Sequence, residues 1–182
     1  MILVVDMGFR RDSLAKCEFV LPICSIVGRL SPCDVLHYSE VSSKTTEMYD
    51  KIILSGTQLK DNDFLRHIGK FGWLKACEKP VLGVCAGMQA IGAVFNSGLF
   101  ECQEIGMVDV RTVMDNPLFA SDFRAYELHN YGILPSSDFV VLAESGKCVQ
   151  AFRHKDKPLY GVLFHPEVRN RMILEDFARL LY

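Results

Sequence analysis

Several features are absent from the sequence, and each absence excludes a class of protein. None of its apolar runs approaches the roughly 18 to 20 residues that a membrane span requires, so we expect no membrane association. The apolar start Met1–Val5 ends at Asp6 and has neither a basic leader nor a small-residue cleavage site, so it is not a signal peptide. No dense block of Lys and Arg is present and the formal charge is only −2, so nucleic acid is not an expected partner. We expect a cytoplasmic protein.

The usual spacings of structural cysteines are missing as well. The seven cysteines are an odd number, no two of them are spaced as Cys-x-x-Cys, and the five histidines do not cluster near them. These spacings argue against a structural zinc site and against a disulfide framework. In a reducing compartment, most of the thiols are expected to be small buried hydrophobes.

The chain does contain short β-branched runs that alternate with stretches of helical period, which indicates β-α-β units. Of its 182 residues, 49% are apolar, enough for the core of a single domain over residues 1–182. From about 104 to 165 the pattern changes to strands joined by short turns. We therefore expect a three-layer α/β fold with a mainly parallel central sheet and additional antiparallel strands in the second half.

The predicted elements follow from these patterns. Apolar positions at helical spacing predict helices over about 19–30, over 64–74, directly after Cys85 and over 172–181. Pro22 is compatible with the first helix only in its first turn. The predicted strands cover residues 1–6, 34–38, 51–55, 80–84, 106–113, 123–128, 139–144, 148–154 and 158–164.

One cysteine lies in a distinctive setting, Gly83-Val84-Cys85-Ala86-Gly87-Met88-Gln89, between a buried strand and a helical stretch. A nucleophile on a tight strand-turn-helix elbow has a strained backbone, and glycines on either side let neighbouring chain pass close to it. The helix N-terminus there stabilises negative charge on sulfur, and the amide of Ala86 is a natural oxyanion donor. The alternative is a glycine-rich turn in which Cys85 only fills space.

A second motif, Phe164-His165-Pro166-Glu167, ends the apolar strand 159–163. Pro166 keeps His165 extended, so residues 165 and 167 can project to the same side and the carboxylate can orient the imidazole. The imidazole could then take a thiol proton and return it to a leaving amine. The alternative is a capped helix start with Pro166 in the first turn.

Two further segments have polar groups near the ends of predicted elements. Ser55-Gly56-Thr57 follows the strand before the elbow strand, so its amides could complete an oxyanion hole, although an ordinary turn has the same pattern. His129-Asn130-Tyr131-Gly132 is a polar, aromatic loop that could form a pocket wall or a plain surface turn.

Together these residues resemble the class I (triad) glutamine amidotransferase family, over nearly the whole chain. The resemblance rests on Leu54-Ser55-Gly56, on 83–89, on Glu104-Ile105-Gly106 and on 155–168 (KDKPLYGVLFHPEV). Among stand-alone members, the sequence is most similar to the amidotransferase subunits of two-subunit GMP synthetases, in size and in the 157–168 stretch. The fold that the resemblance implies is the flavodoxin-like class I amidotransferase fold.

The resemblance also implies residue roles and a reaction. Cys85 would be the nucleophile, His165 the acid/base and Glu167 its orienting carboxylate. The γ-amide of glutamine would be hydrolysed through a thioester, with no metal or cofactor, and the ammonia would pass to a separate synthetase. The remaining roles fall to Gly56 and Ala86 as oxyanion donors and to Gln89, with the backbone near Asn130 and Tyr131, as glutamine contacts.

Two other functions fit the same motifs. A free-standing γ-glutamyl hydrolase would act on peptide or polyamine conjugates without a partner. A catalytically silent regulatory subunit would keep the fold but not the reaction. The sequence does not identify the ammonia acceptor.

Overall fold

The computed structural model describes residues 1–181, and in this range the chain forms one nine-stranded sheet. The strands are β1 (Ile2–Asp6), β2 (Cys33–His37), β3 (Lys51–Leu54), β4 (Val81–Val84), β5 (Gly98–Thr112), β6 (Phe123–Leu134), β7 (Phe139–Glu144), β8 (Val149–His154) and β9 (Leu159–Val162). The helices are α1 (Ala15–Phe19), α2 (Leu21–Val27), α3 (Ser43–Thr46), α4 (Asp63–Arg66), α5 (Ala86–Val94) and α6 (Met172–Arg179).

The sheet has a parallel half and an antiparallel half. Its strand order is β2-β1-β3-β4-β9-β8-β7-β5-β6, and the first five strands pair in parallel. The pairs β9·β8, β8·β7, β7·β5 and β5·β6 are all antiparallel. The predicted fold class is therefore confirmed, including the change of pattern in the second half.

Both faces of the sheet are covered by apolar residues. Along β1, Leu3 and Val5 belong to one buried cluster, whereas Ile2 and Val4 belong to another. Side chains alternate between the faces of a strand, so the two clusters lie on opposite faces. This arrangement gives the three layers expected from the sequence. No helix among residues 1–181 combines the length and the apolar character needed to cross a membrane.

Some element bounds differ from those predicted. The segment 64–74 forms the short α4 and then a 3-10 helix over Ile68–Lys75, because Gly69 and Gly72 lower the stability of a continuous α-helix. Pro22 lies in the first turn of α2, as required. β5 begins at Gly98 rather than 106, and β6 extends to Leu134 rather than 128, because the two strands pair as one long hairpin.

Candidate functional site

Cys85 lies at the junction of β4 and α5, at the carboxyl end of a fully buried parallel strand. Its φ of 48° is in the region that residues with a Cβ rarely adopt. The backbone holds it there, because the Cys85 amide donates to the Val162 carbonyl at 2.8 Å and its own carbonyl accepts from the Gln89 amide at 3.0 Å. Cys85 therefore has the strained elbow conformation that the sequence predicts.

The two glycines of the elbow are explained by close backbone packing. A Cβ on Gly83 would lie 2.4 Å from the carbonyl carbon of Gly87, and a Cβ on Gly87 would lie 2.5 Å from the carbonyl oxygen of Leu54. The start of α5 is thus pressed onto the ends of β3 and β4. No side chain larger than hydrogen fits at either position without a shift of backbone.

His165 and Glu167 form a buried pair beyond the end of β9. The His165 Nδ1 atom lies 2.7 Å from Glu167 Oε1, and each side chain is only 1% exposed. The His165 amide donates to the Tyr126 carbonyl at 2.9 Å, which ties this turn to β6. The carboxylate therefore fixes the orientation of the imidazole and leaves Nε2 free to face another group.

The topology brings Cys85 and His165 to the same edge of the sheet. β4 and β9 are adjacent parallel strands, and both residues follow the carboxyl ends of these strands. Burial by itself would lower the pKa of His165, but the neighbouring Cys85 sulfur and the Glu167 carboxylate raise that pKa well above its ordinary value. The Cys85 thiol also lies 3.7 Å from the Leu128 carbonyl, to which it donates.

Gly56 packs directly against the imidazole. A Cβ on Gly56 would lie 2.6 Å from the Cε1 atom of His165. Its neighbour Ser55 is fully buried, and the Ser55 hydroxyl accepts from the Met7 amide and donates to the Gly56 carbonyl. The turn after β3 therefore lies beside the His165 ring, as expected for a segment that contributes to the site.

The residues predicted to hold substrate surround a small cavity beside Cys85. Its lining includes Cys85, Ala86, Gln89, Asn130 and Tyr131, and its volume is about 20 Å³, roughly the space of one water molecule. The Gln89 side chain donates to the Tyr131 carbonyl at 2.9 Å, and the Asn130 amide donates to the Leu59 carbonyl at 3.1 Å. Both hydrogen bonds connect residues that line the cavity.

His129 is a residue whose setting the sequence misjudged. The segment 129–132 is not a loop or a surface turn but part of β6, and the His129 side chain is 1% exposed. Its Nε2 atom lies 3.4 Å from both Glu104 and Glu127, which are also buried. Burial would lower the pKa of His129, but these two carboxylates raise it to about 10. The strand buries positions 125, 127 and 129 in alternation, but the polar residues at 127 and 129 conceal that pattern in the sequence.

Residues 23–177 match the class-I glutamine amidotransferase family. The chain belongs to this family. It is 30% identical over 149 residues to a glutamine-hydrolyzing GMP synthase subunit of Thermoplasma acidophilum, a match that covers 78% of this chain and 74% of the relative. The corresponding protein of Thermoplasma volcanium is 33% identical over 154 residues, with 78% of this chain and 76% of the relative covered.

A solved structure of an amidotransferase relative has the same fold. A Thermoplasma acidophilum protein described as a GMP synthase subunit superposes with a TM-score of 0.83 and 28% identity, over 97% of this chain and 91% of that chain. The similarity therefore extends through the antiparallel half as well as the parallel half. The resemblance to class I amidotransferases seen in the sequence is confirmed.

Proposed function

We propose that this amidotransferase hydrolyses the γ-amide of glutamine through a thioester on Cys85 and supplies the ammonia to a separate synthetase. The observation that supports this most directly is the Cys85 elbow, placed at the same sheet edge as the buried His165–Glu167 pair. A strained nucleophile, a base and a carboxylate that orients the base are the three parts of a nucleophilic triad.

Cys85, His165 and Glu167 each have a separate role in the proposed reaction. The Cys85 sulfur attacks the amide carbon of glutamine, and the bond to nitrogen breaks as His165 gives its Nε2 proton to the leaving ammonia. Water then hydrolyses the thioester, with His165 accepting a proton from the water, and glutamate is released. Glu167 keeps the imidazole in position through both steps, and the amides of Gly56 and Ala86 stabilise the oxyanion.

The ammonia acceptor is proposed from the relatives. Those described above are named as one subunit of a GMP synthase, a name that implies a second subunit. We therefore propose that the synthetase is a separate polypeptide and that it is a GMP synthetase. Glutamine enters at the cavity lined by Gln89, Asn130 and Tyr131.

The size of that cavity bears on when the reaction occurs. A volume of about 20 Å³ is smaller than glutamine, so we propose that the lining moves apart at the Asn130–Leu59 hydrogen bond before glutamine binds. Binding of the synthetase would open the cavity. Without the synthetase, the isolated chain would hydrolyse glutamine slowly. A silent regulatory subunit could have the same small cavity, so the experiment must distinguish such a protein from a glutaminase.

The test is covalent labelling of the purified chain, with and without the GMP synthetase from the same organism. A diazo-ketone analogue of glutamine should modify Cys85, and glutamate release should be lost in Cys85→Ala. Cys17→Ala is the matched control, because Cys17 is an exposed free thiol and its loss should change neither result.

Three outcomes would contradict the proposal. Normal glutamate release by Cys85→Ala would remove Cys85 as the nucleophile. Absence of labelling even with the synthetase present would favour the silent regulatory protein. Efficient cleavage of γ-glutamyl peptides or polyamine conjugates by the chain alone would favour the free-standing hydrolase.

A further inference from the structure

A second cluster of reactive side chains lies in the antiparallel half of the sheet. One ligand atom from each of Cys102, Glu104 and Cys148 lies within 4.8 Å of the other two. Cys102 and Glu104 belong to β5, whereas Cys148 precedes β8. Glu104 and Cys148 are both buried, and the Cys148 sulfur is 3.3 Å from Glu104 Oε2. The cluster unites residues that are far apart in sequence, so cysteine spacing did not reveal it.

His129 lies beside the cluster. The β5·β6 register places it directly opposite Glu104, and its Nε2 atom is 3.4 Å from Glu104 Oε2. This buried nitrogen has no hydrogen-bond partner within residues 1–181. The other ring nitrogen, Nδ1, is 2.9 Å from the Cys102 carbonyl oxygen, and a carbonyl can only accept. The Nδ1 hydrogen bond therefore orients the imidazole so that Nε2 contacts the Glu104 carboxylate from outside the group of Cys102, Glu104 and Cys148.

The distances within this group of three suit an ion bound by thiolates. Zinc lies about 2.3 Å from thiolate sulfur and about 2.0 Å from carboxylate oxygen. Tetrahedral angles then imply roughly 3.5 Å between sulfur and oxygen ligands and roughly 3.8 Å between two sulfurs. The Cys148 sulfur is 3.3 Å from Glu104 Oε2, and all three ligand atoms lie within 4.8 Å of one another.

The local charge also favours a cation. Glu127 is fully buried, neither of its oxygens has a hydrogen-bond partner in the described chain, and it lies 3.4 Å from the same His129 nitrogen. Two buried carboxylates therefore share one imidazole, which can carry only a single positive charge. Buried anions require compensating charge, and a divalent ion would supply the remainder while displacing the thiol protons of the two cysteines.

We propose that Cys102, Glu104 and Cys148 bind a thiophilic divalent cation of the zinc type, with His129 contacting the Glu104 carboxylate. The ion would join β5 to the β7–β8 turn, next to the strand that carries Asn130. The Gln150 amide and the Ser145 hydroxyl now donate to Glu104 Oε2 at 2.7 and 3.2 Å. On metal binding these two donors would shift to the other carboxylate oxygen.

Cobalt(II) is the probe for the test. The full chain is reduced, treated with a chelator and titrated with Co²⁺. One ion per chain should bind, giving a thiolate-to-cobalt absorption band and tetrahedral visible bands, and one equivalent of Zn²⁺ should remove both. Zn²⁺ should also raise the melting temperature, because an ion that binds only the native state stabilises it.

Matched variants locate the site. Cys102→Ser/Cys148→Ser should abolish the cobalt bands, whereas Cys24→Ser/Cys33→Ser should keep them, because Cys24 and Cys33 interact with each other but are not part of the cluster. Cys85→Ala should also keep the bands, which separates this proposal from the glutaminase reaction. No bands in the unaltered chain, or bands that survive loss of Cys102 and Cys148, would overturn the proposal.

A second measurement needs no variant, in case the double substitution impairs folding. The unaltered chain is alkylated with and without Zn²⁺, and the modified cysteines are identified by mass spectrometry. Zinc should protect Cys102, which is partly accessible, and should leave the exposed Cys17 reactive. Equal modification of Cys102 under both conditions would exclude a metal on this residue.

Discussion

The α-carbon of Gly56 lies so close to the His165 ring that a Cβ would be 2.6 Å from Cε1. The imidazole is buried and is also held by Glu167, so it cannot move aside without breaking that hydrogen bond. The turn after β3 therefore constrains the position of the His165 imidazole.

Gly56→Ala should consequently lower the rate of glutamine hydrolysis. A displacement of about 1 Å in a reacting group can cost roughly 100-fold in rate, and we expect a fall of this order in kcat, measured as glutamate release with the synthetase present. The control is Gly69→Ala, because a Cβ at Gly69 would meet nothing within 4 Å. Equal activity of the two variants would show that the Gly56 contact does not position His165.

The pH dependence of the reaction should report the His165–Glu167 pair. Cys85 and Glu167 raise the pKa of His165, so the imidazolium persists to higher pH than that of an ordinary histidine. Removing the Glu167 charge lowers this pKa, and the imidazolium is then lost at a lower pH. In Glu167→Gln the alkaline limb of kcat/KM should therefore move to lower pH.

The matched control for that profile is Glu175→Gln on α6, a carboxylate that pairs with exposed arginines instead. Its alkaline limb should coincide with that of the unaltered chain. The unaltered chain should also lose activity at low pH, where protonation disrupts the pairing of Cys85 with His165. A rate that is flat from about pH 5 to about pH 9 would argue against catalysis by this pair.

Gly83→Ala should destabilise the fold itself. Its Cβ would lie 2.4 Å from the backbone of Gly87, and overpacking of this kind costs about 1 to 3 kcal/mol. The free energy of unfolding in urea should fall by that amount, whereas Gly72→Ala, where a Cβ meets nothing within 4 Å, should cause no loss. Equal stabilities would mean that the elbow relaxes without strain.

The site was more predictable from the sequence than some of its surroundings. Local patterns around Cys85 and His165 indicated strand ends, and the parallel order of β4 and β9 then placed both residues at one edge. The glycines at 83 and 87 were predicted for the physical reason observed, close approach of backbone. These inferences needed only short segments and the general properties of parallel sheets.

The sequence did not reveal which segments far apart along the chain pair with each other. The burial of His129 depends on its register with Glu104 across the β5·β6 hairpin, and the cluster with Cys148 depends on a third segment. The continuous helix expected over 64–74 failed for a different reason: its apolar spacing was helical, but Gly69 and Gly72 weaken an α-helix, and Ile68–Lys75 is a 3-10 helix instead. Periodicity identifies which face is buried more reliably than it identifies the helix type.

Asn130 should control access to Cys85. Its amide donates at 3.1 Å to the carbonyl of Leu59, which also lines the cavity of about 20 Å³ beside Cys85. Its carbonyl accepts at 2.8 Å from Gln103, which does not line that cavity. Loss of one neutral hydrogen bond changes an equilibrium by about 1 kcal/mol. In Asn130→Ala, labelling of Cys85 by the diazo-ketone in the chain alone should therefore be roughly 5-fold faster.

The control for this opening is Asn116→Ala, which also loses side chain–backbone hydrogen bonds but does not line the Cys85 cavity. Its labelling rate should be unchanged. Slower labelling in Asn130→Ala would instead mean that the side chain holds the substrate, because removing a closing contact can only increase access. With the synthetase bound, the open state would already be populated, so the difference between Asn130→Ala and the unaltered chain should then disappear.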